Sequence, residues 1–248
     1  MGTTAQKLNK ILETKEAIRT AINNKGGTLT TTDTFASYPS AIDSLPSGGG
    51  GSLKTLLDAT KSTYHLFYNY KGTSIDGLIA YSDTENVNNM TAMFYNCYNL
   101  TTIPLFDTSS VEKLNNMFYS CQKLTSIPQL NTNKVTNMSY MFYECKKLTT
   151  IDITHMNITS TNNSAFFAYN CHSLTKLIIR NMNAIPKLNS NAFTNCYHFD
   201  GTVDGYYNPD GLKDGRIYVP DDKVEALKTA TNWSVYADII VPLSTLVE

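Results

Sequence analysis

Cys97, Cys121 and Cys145 stand 24 residues apart, each at the end of the same string: Met93-Phe94-Tyr95-Asn96-Cys97, Met117-Phe118-Tyr119-Ser120-Cys121 and Met141-Phe142-Tyr143-Glu144-Cys145. A fixed period of this length marks stacked supersecondary units, each unable to bury its apolar face without a neighbour. The match extends upstream to Val87 and Met90, Val111 and Leu114, Val135 and Met138. Downstream it continues as Leu-Thr-x-Ile over 100–103, 124–127 and 148–151.

The upstream offsets of 3, 6 and 7 place the large apolar groups on one face of a helical or 3₁₀ segment. The alternation that follows, carried to Ile153 in the third copy, predicts a short strand with Thr on its solvent side. Two looser units centre on Cys171 and Cys196, and His65-Leu66-Phe67-Tyr68-Asn69-Tyr70 reads as an atypical first copy.

This pattern resembles the leucine-rich repeats of BspA-type bacterial surface proteins, in the Met-Phe variant of mycoplasma-type surface lipoproteins. The segment Arg216–Asp221, a following helix, Thr231–Ser234 and Ile239–Val241 resembles the closing segment of such repeats. The resemblance implies an α/β repeat solenoid with short parallel strands, helical turns and a mixed α/β carboxyl-terminal cap. It also implies adhesion or surface recognition, with no catalytic residues to carry over.

Charged residues make up 17% of the chain, while 32 Thr and 25 Asn supply a polar, uncharged surface. A net charge of −1 and the lack of a long basic run argue against nucleic acid and anionic membrane as partners. No apolar run reaches the roughly 18 residues that span a bilayer.

The sequence divides into a helical attachment module (1–46), a Gly/Ser linker (47–52), an amino-terminal cap (53–86), the repeats (87–205) and a carboxyl-terminal cap (206–248). Leu8, Ile11, Ile18 and Ile22 form one stripe on a helix of about 20 residues, an oligomerisation seam with a trimer as the expected state. Residues 7–15 and 35–38 resemble a helical module of bacteriophage tail and fibre proteins, and no basic, apolar export segment follows Met1. These features together favour a non-enzymatic virion fibre that binds other virion proteins through residues 1–46 and a host-surface glycan or protein through its repeats. The alternative is a bacterial cell-surface adhesin, and the third reading is a glycan-active enzyme.

The five cysteines form no C-x-x-C pair and share one phase of the repeat, which predicts buried free thiols. Cys171, His172, Cys196 and His198 fit no common zinc spacing, so neither metal nor cofactor is expected. Tyr95, Tyr119, Tyr143 and Tyr169, two residues before each cysteine, make a column of rings that either suits a glycan or protein ligand or only stacks on itself and shields the core. Tyr98, Lys123, Lys146 and Lys147 occupy the variable slots just after it and complete the candidate binding surface.

Overall fold

The computed structural model describes Leu57, 61–76, Ile79, 81–201 and 213–247. The attachment module, the linker and the stripe Leu8, Ile11, Ile18 and Ile22 lie outside these residues. Within them the 24-residue period is a hydrogen-bonded stack, and one continuous core runs through it from Leu57 to Ile240. Phe67, Phe94, Phe118 and Phe142 superpose in that core, with successive ring centroids 5.3, 5.4 and 5.5 Å apart.

The segment before each cysteine, expected to be helical or 3₁₀, makes i→i+3 bonds without forming a continuous helix. It is two consecutive turns, and its residues five and one before the cysteine sit at positive φ: Ala92 and Asn96, Asn116 and Ser120, Tyr140 and Glu144, Phe166 and Asn170. A left-handed residue ends any α-helical run, and alternate N–H groups turn out of the segment instead. Thus Met117 N–H closes a turn on Leu114 O at 3.2 Å, while Phe118 N–H reaches Met141 O in the next repeat at 2.9 Å. The pattern recurs at Phe94 to Met117 O and Phe142 to Phe167 O, so every repeat satisfies its buried backbone by using its successor.

The strand face is shorter than the sequence pattern suggests. Four parallel strands form one sheet in chain order: β1 (Thr150–His155), β2 (Lys176–Asn181), β3 (Arg216–Val219) and β4 (Ile240–Pro242). The first two Leu-Thr-x-Ile copies do not join it as strands, because Pro104 and Pro128 follow Ile103 and Ile127 and bring no N–H to a ladder. Asp152 takes that place in the third copy, and there β1 begins, pairing Ile151 with Leu177.

What ties the earlier repeats on this side is a threonine ladder. Thr101, Thr125, Thr149 and Thr175 each donate the backbone N–H to the carbonyl of the threonine one repeat back, at 2.9, 3.2, 3.4 and 3.0 Å. Each hydroxyl follows its own N–H to the same oxygen. A second ladder is internal: Thr84, Thr108 and Thr132 are buried, and their hydroxyls accept from the N–H of Asp107, Asn131 and His155.

The carboxyl end extends the same sheet. β3 joins β2 through Ile217 opposite Leu177, and β4 joins β3 through Ile240 opposite Ile217. Two short helices, α1 (Tyr197–Asp200) and α2 (Val224–Thr229), flank this extension. Trp233, fully buried, locks the cap to the last repeat by donating its indole N–H to Pro186 O at 2.8 Å. No helix among the described residues is long and apolar enough to cross a membrane.

Candidate functional site

The two-turn segment turns the residue two before each cysteine outward, at the same height in every repeat. Tyr68, Tyr95, Tyr119, Tyr143 and Tyr169 therefore stack face to face, with centroids 5.3, 4.4, 4.5 and 5.1 Å apart. Each ring is half-buried, and the inner three, Tyr95, Tyr119 and Tyr143, stack on a tyrosine on either side. Burial, followed by the neighbouring Tyr95 and Tyr143 and then Glu144, pushes the Tyr119 phenol above its ordinary range. Burial does the same to Tyr95 and Tyr143, so these three central hydroxyls keep their protons at neutral pH.

Two aromatic residues that sequence reasoning did not single out widen this column. Tyr140 and Phe166 stack at 5.0 Å, Phe166 meets Tyr169 edge-on at 5.3 Å, and Tyr140 lies 6.0 Å from Tyr143. Both occupy the left-handed slot, at φ 56° and 51°, where Asn116 stands in the second strict repeat. A bulky side chain there costs about 1–2 kcal/mol in backbone sterics, which asparagine largely avoids. The slot holds His65, Ala92, Asn116, Tyr140 and Phe166 in turn, and that variability was the available signal.

The remaining predicted residues stand beyond the cysteines. Tyr98 is exposed, with the Lys71 ammonium 5.7 Å from its ring centroid. Lys123 reaches back one repeat to donate to Asn99 Oδ1 at 2.9 Å. Lys146 is half-buried and Lys147 exposed in the following repeat. The structure thus brings Tyr95, Tyr119, Tyr143 and Tyr169 into one column and puts Tyr98, Lys123, Lys146 and Lys147 in a separate set of slots.

The cysteines lie inside. All five are free and fully buried, and each thiol donates to a carbonyl of the preceding repeat, as Cys145 does to Phe118 O at 3.1 Å. Burial holds the thiols of Cys121, Cys145, Cys171 and Cys196 above their ordinary range. His172 stacks on Tyr197, and His198 Nδ1 sits 2.6 Å from Asp214 Oδ1. No group of three or more His, Cys, Asp or Glu is placed to hold a metal among the described residues. What the outward face offers is neutral hydroxyls, ring edges and a few ammonium groups, a chemistry of contact and hydrogen bonding.

Residues 61–182 match the family model described as "Mycoplasma protein of unknown function, DUF285". The match begins at the atypical first repeat and ends just beyond β2, covering slightly under half of the chain. It supports the likeness to BspA-type surface repeats. No curated protein matches the chain.

Proposed function

We propose that this chain is a BspA-like cell-surface protein whose repeats form a leucine-rich-repeat solenoid and recognise a partner through the ring face, without turnover. The observation that carries this reading is the pair Tyr140 and Phe166, held at left-handed φ beside the tyrosine column. A residue that costs backbone energy where asparagine fits better is retained for what its side chain does outside the backbone. Rigid rings with polar neighbours give contact area at low entropy cost, which suits a protein or glycan surface.

The family match bears on the surface-protein reading and gives no support to a virion fibre. The fibre reading, with its trimer and virion partners, rests on residues 1–46, outside the described residues. Copies joined through Leu8, Ile11, Ile18 and Ile22 would present several ring faces at once, turning modest affinity into avidity.

The test displays the full chain on beads against host-cell surfaces, with the Tyr140→Asn/Phe166→Asn double variant beside it. Cell capture should fall at least tenfold in the variant while its unfolding midpoint stays level or rises, since asparagine relieves the left-handed slot. A variant that unfolds earlier and captures cells equally well would assign the rings to packing alone. Release of glycan fragments by the wild type would make the chain an enzyme.

A further inference from the structure

The internal threonine ladder does not continue past Thr132. Thr84, Thr108 and Thr132 recur every 24 residues, thirteen before their cysteines, but the same slot before Cys171 is Ile158. Without a hydroxyl, Ile158 cannot grip the next repeat as Thr132 grips His155; instead its carbonyl accepts the Lys187 N–H at 2.8 Å. A groove of about 620 Å³ lies between residues 157–159 and 183–187. A second hollow of about 360 Å³, on the side of Asn232, shares Ile185 and Lys187 with it.

The lining is chemically specific. Ile158, 2% exposed, and half-buried Ile185 give an aliphatic floor. Thr159 and Asn183 stand at the rim, exposed and without a side-chain partner among the described residues. Asn157 spends its amide N–H on Asn133 O at 3.0 Å, which leaves its oxygen as an acceptor. Lys187 is the one charged side chain among the described residues lining the groove, and no described carboxylate pairs with it. No described residue accepts from the backbone N–H of Asn183, Ala184 or Ile185.

We propose that this groove binds a carboxylated pyranose of an oligosaccharide. A sugar ring lays its C–H face on Ile158 and Ile185 and exchanges hydrogen bonds with Asn157, Thr159 and Asn183, while its carboxylate meets the Lys187 ammonium and the open N–H groups. An acidic peptide would satisfy the lysine but leave the amide and hydroxyl rim without matched hydroxyls. The groove is separate from the ring face and stands whether or not that face binds.

Titration of the full chain with three ligands of equal length tests it: trigalacturonate, uncharged maltotriose and triglutamate. Trigalacturonate should bind at least tenfold more tightly than either of the others. Lys187→Gln should lose at least tenfold of that affinity with an unchanged unfolding midpoint. Should Lys187→Gln unfold early, Asn183→Asp, an exposed change that adds a repelling carboxylate, must show the same loss. The Tyr140→Asn/Phe166→Asn variant should bind trigalacturonate as the wild type does, separating this site from the proposed recognition face. Equal binding of maltotriose or triglutamate, no binding of trigalacturonate, or indifference to both groove variants would overturn the proposal.

Discussion

Cys121 Sγ donates to the carbonyl oxygen of Phe94, one repeat back, at 3.2 Å. The same oxygen already accepts the Cys97 N–H, so the thiol fills its second lone pair inside a dry core. This explains why a weak donor of small volume recurs at that slot. Cys121→Ala removes both the sulfur and the donor and should cost about 1–2 kcal/mol in chemical denaturation. Cys121→Ser retains a donor facing the same carbonyl and should cost less.

The thiols also set an alkaline limit. Burial raises Cys121, Cys145, Cys171 and Cys196 in the folded chain. Below the ordinary thiol range both states keep the proton and the stability is complete. Above about pH 8.5 the unfolded chain releases protons that the folded chain retains, so stability falls, by about 1.4 kcal/mol per thiol per pH unit. Unfolding free energies measured from pH 7 to 10.5 should be flat at first and then drop steeply. A profile that stays flat to pH 10.5 would contradict the buried column.

Two buried threonines should respond in opposite directions to the same substitution. Thr132 accepts from His155 N–H and donates to His155 O, so Thr132→Val strands two backbone groups and should cost about 1–3 kcal/mol. The Thr63 hydroxyl is equally buried but has no partner among the described residues. Thr63→Val therefore removes an unpaired polar atom and should stabilise by up to about 1 kcal/mol. Paired denaturation curves of the two variants decide the point.

Tyr119 is sandwiched at 4.4 and 4.5 Å between Tyr95 and Tyr143. Tyr119→Ala breaks two stacks in the middle of the column and should lower stability by about 1–3 kcal/mol, whereas Tyr119→Phe keeps both and should stay near wild type. If Tyr119→Ala unfolds at the wild-type midpoint, the column contributes nothing to folding.

The period, the buried thiols and the ring column are written in three nearly identical copies, and reading them needs only counting. The turns are harder, because offsets of 3, 6 and 7 satisfy a helix as well as two chained turns. Asn69, Asn96, Asn116, Asn170 and Asn195, all at positive φ, carried the distinction as residues tolerant of the left-handed region. Pro104 and Pro128 likewise announced that the first two Leu-Thr-x-Ile copies lack the donors of a sheet. Tyr140 and Phe166 escaped because their slot differs in every copy, and a repeat signature is built from what does not vary. The groove beside Lys187 escaped for a related reason: its lining lies in the looser copies, where the cysteine spacing lengthens to 26 and 25 residues and the signature thins.

Hydrogen bonds cross each repeat boundary in both directions. On the turn face Phe118 N–H points forward to Met141 O, while on the opposite edge Thr125 N–H points back to Thr101 O. Any boundary among the strict copies consequently presents the same set of donors and acceptors to whichever copy follows. Unequal exchange between copies of the coding sequence, in steps of one whole period, lengthens or shortens such a protein without leaving a mismatched seam. Reach and number of displayed rings become heritable quantities that change in single events, while the contacts that hold the stack together stay the same.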